Sequence, residues 1–430
     1  MRAIFRSLLF VLLIQSGLAQ GALTIEITQG VEGAVPIAVV PFGWSGPGAA
    51  PENIAAIISS DLSRSGRFEP LADRDLVAHP TSTDMVKFQN WRMLNVDNLV
   101  IGTLTETAAG QYSVRFELFD VYRGKQVLGY SFPASDRDLR RVAHHISDLI
   151  YEKLTGEKGA FNTQIAYVTT TGSGKNKTYT LLVADSDGYN PQTILRSGQP
   201  LMSPAWSADA SQIAYVTFEN KTAEIFLQDV ASGTRRKVAS FPGVNGAPSW
   251  SPDGRRLALT LSQDGNSEIY IMDLGSKALK RLTRNAAIDT EPVWTPDGRS
   301  LVFTSDRGGS PQLYQIAAHG GQPQRLTFEG KYNAGADISP DGSKIAMVHG
   351  NNGVYRIAVL DRKSGVTRVL TDGRLDESPS FSPNGSMIIY ATDAGNRGVM
   401  AAVSTDGRFR QRLSIQAGDV REPVWSPYVK

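Results

Sequence analysis

The chain has 430 residues and contains no cysteine. It therefore has no thiolate nucleophile, and no disulfide can hold its fold together. A large domain can bury enough apolar surface to fold without disulfides, whereas a small secreted domain usually cannot. The absence of cysteine therefore favours large domains, and the length predicts two or three of them.

The chain also has little excess charge. Its formal net charge is +2, with 44 basic and 42 acidic residues. A nucleic-acid-binding protein usually carries a marked basic excess on one face. We therefore expect no nucleic-acid partner, and we expect partners to be recognised by shape and local chemistry.

The first residues have the pattern of a secretory signal peptide. Arg2 and Arg6 flank the apolar run Leu8–Ile14, and small residues follow. The run is too short for a bilayer-spanning helix, which needs about 20 apolar residues, so we expect no direct membrane insertion. We predict a signal peptide over residues 1–21, with cleavage after its last residue or after Ala19. A buried N-terminal helix is the alternative interpretation.

A short phrase recurs along the last two-thirds of the chain, and in its fullest form it reads Pro-Ser-Trp-Ser-Pro-Asp-Gly. It begins, with variations, at Pro204, Pro248, Pro292, Ala336, Pro379 and Pro423, so the starts are 43 or 44 residues apart. A period of about 40 to 45 residues with several short strands is typical of β-propeller blades. In four of the five full units the phrase ends in an Asx-Gly pair, which suits a tight turn, and three further strand patterns follow it, which predicts four strands per blade.

The ends of the array complement each other. The last phrase, at Pro423, is followed by no further strand pattern, while the first repeat-like segment, Gln164–Val168, has no phrase before it. We therefore expect Pro423–Pro427 to supply the inner strand of a blade whose other strands come from Phe161–Ser197. The sequence predicts a six-bladed β-propeller over residues 161–430, closed by the C-terminal strand.

Residues 35–158 show no such repeat and predict a small N-terminal α/β domain. The amphipathic pattern over Arg137–Leu154, followed by Gly156, indicates the helix that ends this domain. The other predicted elements are a buried strand at Ile37–Val40, a helix at Pro51–Ser65, and strands at Asn98–Thr105 and over Tyr112–Phe132 with a turn near Gly124.

Catalytic and metal-binding patterns are missing. There is no Gly-x-Ser-x-Gly elbow, no phosphate-binding loop and no dinucleotide-binding glycine fingerprint. No pair of the five histidines has zinc-site spacing, and the repeated Asp-Gly carboxylates suit hairpin turns. We therefore expect no enzyme activity, no cofactor and no metal. The histidines are His79, His144, His145, His319 and His349.

The chain resembles the TolB family, the periplasmic proteins of the Tol-Pal system of Gram-negative bacteria. Four segments carry the resemblance, which covers the whole chain: Ile25–Gly30, Pro36–Phe42, Phe241–Pro248 before a blade, and Trp425–Tyr428 at the end. The fourth phrase, which begins at Ala336, departs from the family pattern at Asp337-Ile338. We expect a locally altered blade there.

The resemblance implies a non-catalytic, monomeric periplasmic protein that links the outer-membrane lipoprotein Pal to the C-terminal domain of TolA. It further implies roles in outer-membrane integrity and in outer-membrane invagination during cell division. The propeller mouth would bind Pal, and the N-terminal segment, residues 22–34, would bind TolA. Two alternatives stay open, a propeller that binds a small molecule or sugar and a propeller-fused peptidase, although no nucleophile with a nearby base is visible for the latter.

The residues expected at these two sites follow from the same resemblance. The loops before the phrases should ring one mouth of the channel, although turn residues and solvated charges are the alternative interpretation. The Pal-binding candidates are Val244, Asn245, Gly246, Ala247, Asp289, Thr290, Glu291, Asp376, Glu377 and Glu422. The TolA-binding candidates, in a segment whose alternating pattern also fits a plain first strand or a frayed terminus, are Leu23, Thr24, Ile25, Glu26, Ile27, Thr28, Gln29 and Gly30.

Overall fold

The computed structural model describes residues 24–30, 33–395, 397–414 and 418–428. The predicted signal peptide, its cleavage point and Leu23 lie outside these residues. Within them, no helix has the length and apolar character needed to cross a membrane. The described chain forms a small α/β domain followed by six antiparallel sheets, as predicted.

The N-terminal α/β domain is built on one mixed sheet. Its strands are β2 (Val35–Val39), β3 (Gly43–Ser45), β4 (Phe68–Pro70), β5 (Asn98–Ala108), β6 (Gln111–Asp120) and β7 (Lys125–Ser135). They lie in the order β4-β2-β5-β6-β7, and β3 runs parallel to β5 beyond the end of β2. The helices are α1 (Ile54–Arg64), α2 (Phe88–Arg92) and α3 (Leu139–Thr155), with 3₁₀ turns at Asp73–Asp75 and Thr83–Met85.

Local signals set the ends of the two long helices. The first was predicted from Pro51, but it begins at Ile54 because the Asn53 side chain accepts a hydrogen bond from Ala56 N at 3.1 Å and so caps the helix. The second ends at Gly156, whose φ of +77° suits a residue without a Cβ. Both helices pack on one face of the sheet, where Ile58, Phe116 and Ile146 are fully buried.

Each propeller blade is a four-stranded antiparallel sheet, and β1 (Thr24–Gln29) joins the sixth as an extra strand. A 3₁₀ turn, Gly174–Asn176, lies in the first blade. Blades one to three contain β8 (Gln164–Thr171), β9 (Thr178–Asp185) and β10 (Gln192–Ser197); β11 (Leu201–Trp206), β12 (Gln212–Thr217), β13 (Glu224–Asp229) and β14 (Arg235–Ala239); and β15 (Asn245–Trp250), β16 (Arg256–Leu261), β17 (Glu268–Asp273) and β18 (Leu279–Arg281). Blades four to six contain β19 (Asp289–Trp294), β20 (Ser300–Ser305), β21 (Gln312–Ala317) and β22 (Gln324–Arg325); β23 (Tyr332–Ile338), β24 (Lys344–Asn351), β25 (Val354–Asp361) and β26 (Thr367–Val369); and β27 (Asp376–Phe381), β28 (Met387–Asp393), β29 (Gly398–Ser404) and β30 (Arg410–Ser414).

The repeated phrase spans the second half of each inner strand and the turn after it. In the third blade, Arg255 N and Ser251 Oγ both donate to the Asp253 carboxylate, and Gly254 has a φ of +69°. The corresponding glycines of the next three blades also have positive φ angles. The prediction that each Asx-Gly pair makes a tight turn is confirmed.

A bulge in every inner strand was not predicted. The ladder shifts register in the middle of the strand, next to a residue in the left-handed region. These residues are Ser203, Ala247, Glu291, Gly335, Ser378 and Glu422, with φ between +44° and +60°. In five blades the phrase's proline comes next, and proline is tolerated at a bulge because it has no N–H to give to a ladder.

Because of this bulge, the segments before the phrases are strands and not loops. They were predicted as loops because their small and acidic residues resemble turns. In the structure they are the first halves of the inner strands, so that β15 starts at Asn245, β19 at Asp289 and β27 at Asp376. A bulge lets a strand continue through a proline and a left-handed residue that would otherwise suggest its end.

Tryptophans in the phrase join neighbouring blades. The indole N–H groups of Trp206, Trp250 and Trp294 donate to backbone carbonyls of the preceding inner strand at 3.2–3.3 Å. The fifth blade has Ile338 at this position, as its altered phrase led us to expect. Beside it, the buried Asp337 carboxylate accepts from Phe381 N of the next blade at 2.7 Å, and burial raises the pKa of Asp337 to about 6.

The ring closes as predicted, by a strand from the C-terminal end of the chain. This strand, β31, runs over Asp419–Trp425 and pairs with β8. It therefore begins four residues before the predicted Pro423, on the other side of the bulge at Glu422. Trp425 packs in the cluster between the first and sixth blades, and its indole N–H donates to Thr163 Oγ1 at 2.8 Å.

Replacing Trp425 by alanine should destabilise the seam of the ring. Removing a buried tryptophan costs about 3 to 5 kcal/mol, and here the first blade is assembled from two distant parts of the chain. Trp294→Ala is the matched control, because Trp294 has the same place in a blade made of continuous chain and is buried to a similar extent. Thermal melting should show a larger loss for Trp425→Ala, and equal losses would contradict this account of closure.

Candidate functional site

The two faces of the propeller are not equivalent. The face with the Asx-Gly turns meets the N-terminal domain, where Asn384 Nδ2 donates to Lys158 O at 2.9 Å. On this face the blade-one turn at Ser186 also receives hydrogen bonds from Arg64 of α1. The inner strands begin at the opposite face, which we call the mouth. No described part of the N-terminal domain lines the cavity that runs inward from the mouth.

A channel of about 740 Å³ runs inward from the mouth between the six inner strands. The left-handed residues of the bulges lie around this channel. Two of them, Glu291 and Glu422, are acidic, and a third acidic residue, Glu377, directly precedes the left-handed Ser378. Glu291 accepts hydrogen bonds from Gly335 N at 2.9 Å and Thr304 Oγ1 at 2.8 Å. Glu422 accepts from Ser203 N of the second blade. These carboxylates therefore link one blade to the next around the channel wall.

The third acidic side chain, Glu377, pairs with Arg421 at 2.8 Å and joins the sixth blade to the closing strand. Burial raises the pKa of Glu422 to about 7, with smaller contributions in the same direction from the negative charges of Glu377 and Glu291. The structure thus brings three predicted mouth residues together at the channel.

Three other predicted mouth residues have buried side chains that hold the backbone. Asn245 Nδ2 donates to Phe241 O, and Asp289 forms an ion pair with Arg307 at 2.6 Å. Asp376 accepts from two threonine hydroxyls. Each occupies the first position of an inner strand, so these side chains brace the mouth without facing outward.

An apolar rim at the mouth was not predicted from the sequence. One large apolar side chain stands within one residue of the start of four inner strands, and each is more than two-fifths exposed. The rim consists of Met202, Val244, Ile288 and Leu375, of which only Val244 was predicted. The available signal in the sequence was an apolar residue next to each of these four strand starts. It was hard to recognise because small and polar residues surround it. Exposed apolar side chains grouped in this way are typical of protein-binding surfaces.

The N-terminal segment forms a strand, β1, on the outer edge of the sixth blade. Its ladder with β30 pairs Glu26 with Arg412 and Ile27 with Gln411. All five residues from Glu26 to Gly30 are exposed, including Ile27. The segment therefore already pairs with the edge strand of a sheet in its own chain. Among the described residues, no strand pairs with the other edge of β1.

The chain matches two families with this architecture. Residues 23–127 match the family described as the TolB amino-terminal domain, and residues 151–429 match the TolB beta propeller domain. The chain belongs to the TolB family. A curated TolB-family relative from Thioalkalivibrio sulfidiphilus, named Tol-Pal system protein TolB, is 64% identical over 100% of this chain and 99% of its own length.

Other TolB-family proteins agree. The Tol-Pal system protein TolB of Nitrosococcus oceani is 63% identical over 97% of this chain and 96% of its own length. The crystal structure of TolB from Acinetobacter baumannii superposes with a TM-score of 0.87 at 43% identity, covering 94% of this chain and all of that one. The chain is therefore a component of the Tol-Pal system, as the resemblance implied.

Replacing Glu422 by glutamine should stabilise this TolB-family protein in a pH-dependent way. The folded-state pKa of about 7 exceeds the ordinary 4.5, so the folded chain holds the proton more tightly than the unfolded chain. The contribution of protonated Glu422 to the stability of the fold is fully present below about pH 4.5. It decreases as the pH rises and is lost above about pH 7. Glu422→Gln should therefore raise the melting temperature at about pH 8 and have less effect at about pH 5.

A suitable control is Glu69→Gln, which changes an exposed carboxylate of the N-terminal domain. It should leave the melting temperature nearly unchanged at both pH values. A Glu422→Gln variant that melts like the wild type at about pH 8 would show that this carboxylate is not held in a destabilising environment.

Proposed function

We propose that this protein is a non-catalytic periplasmic binding protein that links the lipoprotein Pal to TolA. It would thereby support outer-membrane integrity and outer-membrane invagination during cell division. The observation that carries the proposal is the open mouth, which combines an exposed apolar rim with braced carboxylates on the face away from the N-terminal domain. The N-terminal segment provides a second, separate surface on the outer edge of the sixth blade.

The mouth is proposed as the Pal site because its surface is both apolar and rigid. The rim offers the exposed side chains that a partner buries, and hydrogen bonds across the blades hold the acidic residues in place. A rigid surface loses little conformational freedom on binding. The proposed contact residues are Val244, Asn245, Gly246, Ala247, Asp289, Thr290, Glu291, Asp376, Glu377 and Glu422, of which Asn245, Asp289 and Asp376 would act by holding the strand starts.

The N-terminal segment is proposed as the TolA site because it presents an exposed strand with a free edge. A partner can add a strand to such an edge through backbone hydrogen bonds, and alternate side chains then give specificity. The proposed residues are Leu23, Thr24, Ile25, Glu26, Ile27, Thr28, Gln29 and Gly30. The two sites lie on different elements, so each can be tested without changing the other. We propose that the protein acts as a monomer between these two partners.

A bulky charge at the mouth should weaken Pal binding. Ala247 already has a φ of +44°, so Ala247→Arg adds size and charge without a new backbone penalty. A disruptive change at the centre of an interface costs about 2 kcal/mol or more. Calorimetric titration of Ala247→Arg or Thr290→Arg with Pal should show affinity lower by at least about tenfold. The melting temperature and TolA binding should be unchanged.

The matched control is Ala278→Arg, the same substitution at an exposed turn of the same blade on the opposite face. It should bind Pal like the wild type. Normal Pal affinity in folded Ala247→Arg and Thr290→Arg proteins would place the site elsewhere. Binding of a sugar or small molecule in the channel by a protein with no Pal affinity would favour the small-molecule alternative, since the channel volume suits such a ligand.

Deleting residues 22–30 should abolish TolA binding and preserve Pal binding. The deletion removes β1 and leaves β30 as the outer edge of the blade, which the other blades tolerate. Because the β1 side chains from Glu26 onward are exposed, little buried apolar surface is lost and the melting temperature should change little. Titration with the C-terminal domain of TolA tests this, and retained affinity would reject the proposed TolA site.

A further inference from the structure

The two domains meet at a buried group of charged side chains that the proposed function does not use. His144 and Arg140 come from α3, and Asp61 and Arg64 come from α1. Asp185, the last residue of β9, and Asp187 in the turn that follows it supply carboxylates from the first blade. His144 lies at the centre of this group, with its side chain only 3% exposed.

One nitrogen of His144 has a partner and the other does not. Its Nδ1 lies 2.7 Å from Asp61 Oδ2, which is the geometry of a short hydrogen bond. Its buried Nε2 has no hydrogen-bond partner. The nearest carboxylate oxygen, Asp187 Oδ2, is 3.7 Å away, which is too long for a hydrogen bond. A buried, unpartnered ring nitrogen is costly unless something else binds it.

That 3.7 Å separation suits two ligands of one metal ion. Ligands about 2.0–2.1 Å from a tetrahedral zinc ion lie about 3.4 Å from each other. Nε2 of His144 and one carboxylate oxygen each of Asp185 and Asp187 all lie within 4.8 Å of one another. The spacing is therefore too wide for direct contact but close to that of atoms sharing a metal.

The second shell has the arrangement that metal-binding histidines usually show. A carboxylate that accepts the Nδ1 proton leaves the Nε2 lone pair free and orients the ring towards the metal. Asp61 is the carboxylate that accepts this proton from His144, and its other oxygen, Oδ1, lies 3.0 Å from the Arg64 guanidinium. Asp185 is 28% exposed, which leaves a path for an ion from solvent.

The charges around His144 also leave room for a cation. Two guanidinium groups, those of Arg64 and Arg140, face four carboxylates. These carboxylates are Glu52, Asp61, Asp185 and Asp187. Arg140 lies 2.6 Å from Asp187 Oδ2, but a carboxylate oxygen has two lone pairs and can accept from a guanidinium while binding a metal.

We propose that His144, Asp185 and Asp187 bind a divalent transition-metal ion between the two domains. One imidazole nitrogen and two carboxylate oxygens form a donor set that suits Zn²⁺, with water completing the coordination. Because His144 belongs to the N-terminal domain and both aspartates to the propeller, the ion would hold the two domains together. The five histidines have no metal-site spacing in the sequence because the other ligands come from a different domain.

Zn²⁺ binding to the purified mature protein tests this proposal. Metal-free protein titrated with Zn²⁺ should bind one ion at this site, and His144→Gln or Asp185→Asn should lower its affinity by at least about tenfold, the range seen when a metal site is perturbed. His79→Gln is the matched control, because His79 lies 3.7 Å from Asp73 in an exposed His–Asp pair. It should leave the affinity of the interdomain site unchanged.

Crystals of the wild-type protein soaked with Zn²⁺ give a readout that does not depend on how a variant folds. An anomalous-scattering peak within about 2.3 Å of His144 Nε2 and both aspartates is the expected result. The proposal is overturned if zinc appears only at surface histidines, or if His144→Gln and His79→Gln reduce binding equally. In that case His144 would carry a proton on Nε2 as well as on Nδ1. The attraction between this charged ring and Asp187 would then explain the buried charged side chains without a metal ion.

Discussion

The pairing of β31 with β8 is the constraint on which the rest of the molecule depends. A propeller blade cannot bury both of its faces alone, so each blade needs a neighbour on either side and the ring has to close. Here the closing blade takes one strand from the C-terminal end and three from the segment after the N-terminal domain. Tryptophan and serine side chains bridge the inner strands around the ring, so closure also sets the shape of the channel.

Closure gives the ring two faces with different tasks. The Asx-Gly turns end on the face that meets the N-terminal domain, and the inner strands begin on the face that stays open. The bulges place a left-handed residue at the channel in every blade, at a cost of roughly 1–2 kcal/mol for each non-glycine residue. That cost is offset by the packing of the whole ring, and the bulges aim acidic side chains across the blade boundaries.

The interface between the domains follows a different principle. It buries charged groups, and such groups are stable only when paired. Arg64, Asp61 and His144 form one paired set, and Arg140 with Asp187 forms another. Because these contacts depend on distance and orientation, they specify how the domains are placed more sharply than apolar contacts do.

The sequence by itself determined the blade number, the turns and the origin of the closing strand, because a unit of 43 or 44 residues with its own short turn motif recurs along the chain. The last helix of the N-terminal domain followed from its apolar periodicity, whereas the short helix α2 was not predicted. Only the tertiary structure decided which residues face outward at the mouth. Asn245, Asp289 and Asp376 look like exposed turn residues in the sequence, yet backbone groups and side chains of the same blade bury them. The partner of β1 and the aspartates Asp61 and Asp187 beside His144 were equally hidden, because they lie more than 40 residues away along the chain and only folding brings them into contact.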